Sequence, residues 1–228
     1  MTKTARALAV LIVVAVTTSP VVSGFSRIDQ DLGTIDFPTS GSPAAQPHFI
    51  KGVLLMHSFE YDDARQAFVE AQKADPAFAM AYWGEAMTFN HPVWQRTSPE
   101  LAKAALNKLA PTAEARRARA QTEKEKDWLG AVERMYATGT STSLSASDPS
   151  TSLRAGVSSS LSAGKLARDL SYADAMRRMH EKYPGDDEVR SFYALALLGT
   201  SHGGRDFSIY MRAAALVEQV YVKNPNHP

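Results

Sequence analysis

The chain contains no cysteine. This excludes disulfide cross-links, thiolate metal ligands and a lipid attached to cysteine behind an export signal, so packing alone must hold the fold. A surplus of charge is missing too. Twenty-five Lys and Arg stand against 24 Asp and Glu, a formal net charge of +1, and so small a net charge draws the molecule to neither nucleic acid nor an anionic membrane surface. No P-loop, dinucleotide fingerprint, Gly-x-Ser-x-Gly elbow or zinc signature occurs. Spacing marks out no nucleophile with its base and no carboxylates with separated roles, so the sequence predicts no catalytic residue, no cofactor and no enzyme. Long apolar runs are limited to "ALAVLIVVAV", residues 7–16, about half of the roughly 20 residues that cross a bilayer.

What is there begins with that run. Lys3 and Arg6 precede it, and "TTSPVVSG" follows with a helix breaker and small residues, the pattern of a secretory signal with cleavage near Ser23 or Gly24; an uncleaved anchor is the alternative. The expected location is periplasmic or extracellular, with no transmembrane helix after cleavage. Residues 25–46, with Gly, Ser and Pro but no helical period, are predicted to be an extended lead-in. Beyond them a helical period dominates. "PHFIKGVLLMHSF" gathers Ile50, Val53, Leu54 and His57 near one face, and "YDDARQAFVEAQKAD" gathers Tyr61, Ala64, Phe68 and Ala71. So short a joint between them forces an antiparallel helical hairpin.

Recurrence extends the pattern. Prolines at predicted helix ends fall at Pro76, Pro111, Pro184 and Pro225, spaced by 35, 73 and 41 residues. Ala64, Phe68 and Ala71 stand twelve, eight and five residues before Pro76, and Ala213, Val217 and Val220 hold the same offsets before Pro225. After Pro76 come Tyr82, Ala86 and Phe89; after Pro184 the last two offsets hold Ala194 and Leu197. This resembles the tetratricopeptide repeat family. The best unit uses Gly52, Leu55, Ala64, Phe68, Ala71 and Pro76, with Lys51 where the family prefers Leu; at the equivalent of Ala64, Tyr172 replaces the small residue. The resemblance implies an all-α fold, an α-solenoid of antiparallel helical hairpins, and a concave groove that holds a protein or peptide partner.

The 73-residue gap contains "TSTSLSASDPSTSLRAGVSSSLSAG", a low-complexity stretch. Removing roughly 28 residues restores a period of about 45, so a disordered Ser/Thr-rich insertion is predicted over 138–164. A partner-docking or glycan-bearing linker is the alternative. The expected organisation is a signal peptide at 1–24, a lead-in at 25–46, helical hairpins at 47–137, the insertion at 138–164 and further hairpins at 165–228. On "PTAEARRARAQTEKEKDWLGAVERMY" the residues Trp128, Val132, Met135 and Tyr136 share a face. Arg116, Arg117, Arg119, Lys124, Glu125 and Lys126 are expected on the solvated side, because acidic residues interleave the basic ones.

The expected groove lining is His48, Lys51, His57, Trp83, Asn90 and Arg190, an adaptable polar and aromatic surface. His91, His202 and Arg205 are candidate ligand-binding residues. "GTSHGGRDF" places His202 and Arg205 in a Gly-rich loop, although its glycines and Asp206 are equally explained by a turn and a helix cap. "NHPVW" reads as a helix end, with Asn90 in the cap, Pro92 as the stop and Trp94 folded back on apolar surface. The second functional class is a histidine-based metal or small-ligand protein built on His57, His91 and His202, although none of the six histidines has the three- or four-residue spacing of helical metal pairs. The chain's last helix has no polar capping helix after it. An N-terminal fragment of a longer repeat protein is expected, with Val217, Val220 and Tyr221 exposed.

Overall fold

A computed structural model of the protein describes residues 32–137 and 157–228, with side chains in the second stretch from Gly164 onward. The predicted signal peptide and residues 138–156 of the predicted insertion lie outside the described residues. The first hairpin is α1 (Gln46–His57) and α2 (Tyr61–Ala74), joined through Phe59 at φ +62°. Asp75 leaves helical geometry, and α3 (Ala79–Met87) follows at once. This Asp-Pro break is an anchor as well as a stop: Asp75 accepts hydrogen bonds from the Ala77 and Ser42 amides at 3.1 and 2.9 Å.

A two-residue hairpin comes next, β1 (Asn90–His91) paired antiparallel with β2 (Arg96–Thr97). Asn90 is thus a strand residue, and Thr88 caps α3 in its place. Trp94, at the turn, is half exposed with its ring edge-on to Phe59. Then follow α4 (Pro99–Leu109), α5 (Ala113–Arg119) and α6 (Glu123–Tyr136). Thr112 caps α5, and Thr122 with Glu125 forms a capping box on α6, each cap worth about 1 kcal/mol. The second stretch is α7 (Val157–Lys182), α8 (Asp187–Gly199) and α9 (Phe207–Lys223). Helix α7 therefore begins inside the segment predicted to be insertion. Asp186 caps α8 and Asp206 caps α9 through side-chain oxygens, the second as its place after the Gly-rich loop suggested.

Nearly all of the described secondary structure is helical, and most helices pack on their neighbours in the chain: α1 on α2, α2 on α3, α3 on α4, α6 on α7, α7 on α8 and α8 on α9. Small residues set the closeness of the first contacts. The Phe68 ring is wedged between Gly52 of α1 and Gly84 of α3, where an added Cβ would come within 2.7 and 2.3 Å of it. Ala64, Phe68 and Ala71 are fully buried.

Helices α1, α3, α6 and α8 each send one large ring to a common centre: Phe49, Trp83, Trp128 and Phe192. The lead-in supplies a fifth, Phe37, with centroids 5.3, 5.9 and 5.3 Å from Phe49, Trp83 and Trp128. Trp128 lies 5.1 Å from Trp83 and 5.3 Å from Phe192. All but the tilted Phe37–Trp128 pair are edge-on, and edge-on pairs add about 0.5–1.5 kcal/mol each beyond the area they bury.

Two residues expected on the solvated side of the basic segment are interior. Arg116 forms a two-pronged ion pair with Glu133 and donates to the Ala110 carbonyl. Glu125, 1% exposed, accepts from the Ser40 amide and hydroxyl and from the Gln121 and Thr122 amides. A carboxylate can be buried where so many donors replace its water. Here the donors come from the lead-in and the helix start, which the local pattern of charges does not reveal. The lead-in also reaches the other end of the described chain: the Thr34 amide donates to the Asn226 carbonyl at 2.9 Å, and Asn224 Nδ2 donates to the Thr34 carbonyl at 2.6 Å.

Candidate functional site: a histidine–glutamate cluster beside an apolar cavity

His57 ends α1, where the helix period turns it toward α8 instead of solvent. Glu188 lies in the first turn of α8, a position the helix dipole favours for a carboxylate. His227 sits in the turn after α9 that Asn224 organises by accepting from the Asn226 amide. The three meet. His57 Nε2 lies 2.8 Å from Glu188 Oε2, and His227 Nε2 lies 2.9 Å from Glu188 Oε1. The imidazole centroids are 4.9 Å apart, and Phe192 packs 5.0 Å from His57. The His side chains are 8% exposed and Glu188 is 1% exposed.

Protonation follows from the partners. His227 Nδ1 is 3.0 Å from the Pro228 carbonyl, which only accepts, and its Nε2 faces a carboxylate. Both ring nitrogens thus face acceptors, an arrangement that favours the doubly protonated, charged ring. Burial opposes that charge, but the Glu188 hydrogen bond, the Pro228 carbonyl and the charges of Glu188 and Asp187 outweigh it and raise the pKa. Burial likewise opposes ionisation of Glu188. The hydrogen bonds from His227 and His57, with their charges, overcome it and hold the carboxyl down at about 2.

Both imidazoles wall a cavity of about 630 Å³ between α8 and α9, otherwise lined mainly by apolar residues such as Ala194, Leu198, Ala213, Val217 and Tyr221. On its far side Glu188 and His227 border a second, more polar cavity of about 530 Å³ with Asp186, Asp187 and Lys124.

His91 and His202 belong elsewhere. They share the wall of a polar cavity of about 880 Å³ with Arg65, Arg96, Lys165 and Arg168. His91 stacks on Tyr61 at 3.9 Å and hydrogen-bonds the Thr88 carbonyl through Nε2. His202 Nε2 is 2.6 Å from Asp169, whose two oxygens also accept from Lys165 at 2.9 and 2.7 Å. A lysine and a histidine on one buried carboxylate form a satisfied ion cluster. Among the described residues His57, His91 and His202 do not converge as a ligand group; the group that does is His57, Glu188 and His227.

The expected groove lining is split in the same way. His48 and Lys51 are exposed, the His57 side chain is largely buried, and Trp83, Asn90 and Arg190 are buried. Arg190 pairs with Asp187 and donates to the Pro184 carbonyl. Arg205 is exposed in its loop. On α9, Val217 and Tyr221 are exposed as expected, while Val220 faces inward and is buried. Sequence reasoning missed Glu188 and His227. Glu188 has the dipole as a sufficient local explanation, and His227 shares no spacing with His57.

No helix among the described residues is long and apolar enough to cross a membrane. Comparison with protein-family models, curated proteins and solved structures gives no match for the chain.

Proposed function

We propose that the protein is an exported scaffold of tetratricopeptide-like helical hairpins, not an enzyme, and that it binds an amphipathic helix of a partner protein in the groove between α8 and α9. The observation that carries the reading is that groove's apolar lining. Tyr210, Ala214, Val217 and Tyr221 follow one another at helical spacing along α9, opposite Ser191, Ala194 and Leu198 of α8. Val217 and Tyr221 are 43% and 64% exposed, and two ridges of small and aromatic side chains fit a third helix laid between them. Pairing of α1 with α2, α3 with α4, α6 with α7 and α8 with α9 supports the solenoid reading, and the contacts of α3 with α1 and α6 add to it. Lys3, Arg6 and the apolar run after them support export.

The partner surface differs in place from the one the repeat pattern suggests. The inward faces of α1, α3 and α6 are covered by the chain's own Phe37, which leaves α9 with the larger exposed apolar surface. A photo-crosslinking residue at position 217 is expected to capture a partner from envelope extract, whereas one at position 48 is not. Val217→Asp and Tyr221→Asp should each weaken capture at least ~10-fold while changing stability by about 0.5 kcal/mol or less. Capture that survives both substitutions sinks the reading.

A further inference from the structure

We infer that His57, Glu188 and His227 form a binding site for one divalent transition-metal ion, with zinc the ion that best suits two imidazoles and a carboxylate. This goes beyond the scaffold reading and does not depend on it. Three parts of the chain converge here, the end of α1, the start of α8 and the turn after α9, and their ligand atoms all lie within 4.8 Å of one another. One protonated imidazole is enough to neutralise Glu188. The second imidazole nevertheless brings its Nε2 to the other carboxylate oxygen, so both nitrogens gather on one carboxylate.

The surroundings match what a metal site needs. His227 Nδ1 is held by the Pro228 carbonyl, the outer contact that fixes a ligating imidazole and leaves Nε2 for the ion. Nitrogen and oxygen donors without sulfur suit zinc and its neighbours. Both rings border the 630 Å³ cavity, which gives the ion a way in and leaves a four-coordinate ion one position for water or a small ligand. On binding, the ion takes the Nε2 lone pairs, and the protons that now bridge to Glu188 pass to solvent. The ion would then cross-link the first helix, the eighth and the final turn.

The test uses the full purified chain, stripped by a chelator and titrated with zinc chloride near neutral pH. Cobalt(II) serves as a spectroscopic probe of a site with nitrogen and oxygen ligands. Uptake of about one zinc ion per chain is expected, with release of protons and a higher melting temperature. His57→Ala, Glu188→Gln and His227→Ala should each weaken binding by about 100-fold or more, whereas His91→Ala and His202→Ala leave it unchanged. If an interior variant fails to fold, His227→Ala decides, with its helical circular dichroism verified first. The inference is overturned if the helical wild-type chain shows no saturable uptake, if His227→Ala binds as well as wild type, or if binding is lost in His202→Ala.

Discussion

At the scale of single residues, the central tryptophans separate shape from polarity. Trp128 is fully buried, and its indole N–H has no partner among the described residues. Trp128→Ala should cost about 3–5 kcal/mol in urea unfolding, from lost burial plus a cavity. Trp128→Phe should cost well under half of that, because a ring remains and no hydrogen bond is lost; equal losses would mean that the N–H is paired after all. His180 gives a pH signature. Its ring stacks at 5.7 Å on Tyr193, with Nδ1 buried and without a partner among the described residues. Burial and then the Arg190 charge push its pKa below the ordinary 6.5, with Glu181 pulling weakly the other way. The unfolded chain therefore takes the proton more readily than the folded one, and the stabilising contribution is complete above the unfolded value of 6.5 and is lost as the pH falls from there through the lower folded value. His180→Gln is expected to flatten the fall of the urea midpoint on the acid side, and an unchanged slope would refute the assignment.

At the scale of elements, the helices were legible in the sequence and their assembly was only partly so. A period of 3.6 residues, caps at Thr122, Asp186 and Asp206, and the Asp75-Pro76 break are local signals that act within a few residues. The period and the proline break placed α1 and α2 closely, while the later helices were expected only as further hairpins. The β1–β2 hairpin was missed because Asn90 and Pro92 fit a helix end as well as a tight turn. The lead-in was expected to be extended; its described residues before α1 hold neither helix nor strand, and Gly, Ser and Pro around Phe37 gave no hint that this ring enters the core. Glu125 resembled its solvated neighbours because its partners, the Ser40 amide and hydroxyl, lie 85 residues away. Glu125→Ala removes the acceptor shared by those groups and two further amides. It should destabilise the protein by about 2–4 kcal/mol, and limited proteolysis should cut first within residues 32–45. A first cut elsewhere would show that another contact holds the lead-in.

At the scale of the whole described unit, Leu32–Pro228, the bonds between Thr34 and Asn226 and the contacts of Glu188 with His57 and His227 tie early elements to late ones. An open stack of repeats can fray from one end, since each unit contacts only its neighbours. Here the first and last elements share contacts, so unfolding followed by tryptophan fluorescence and by a reporter on α9 should give coincident urea transitions. Phe37→Ala, which loosens the common centre, should pull the two transitions apart; coincidence in that variant would assign cooperativity to the helices alone. The candidate site belongs to this long-range layer. Its members are separated by 131 and 39 residues, and no spacing rule relates them before the chain has folded.

The lead-in also sets an order of events in time. Thr34 is among the first described residues that a ribosome makes, and its partner Asn224 comes 190 residues later. Phe37 and Ser40 can reach Phe49, Trp83, Trp128 and Glu125 earlier, but the Thr34 end of the lead-in must wait for its partners until residues 224–226 have been synthesised. Newly made chains halted before the codon for residue 224 should stay open to protease around Thr34, and become resistant there only when the turn holding Asn224 and Asn226 is released.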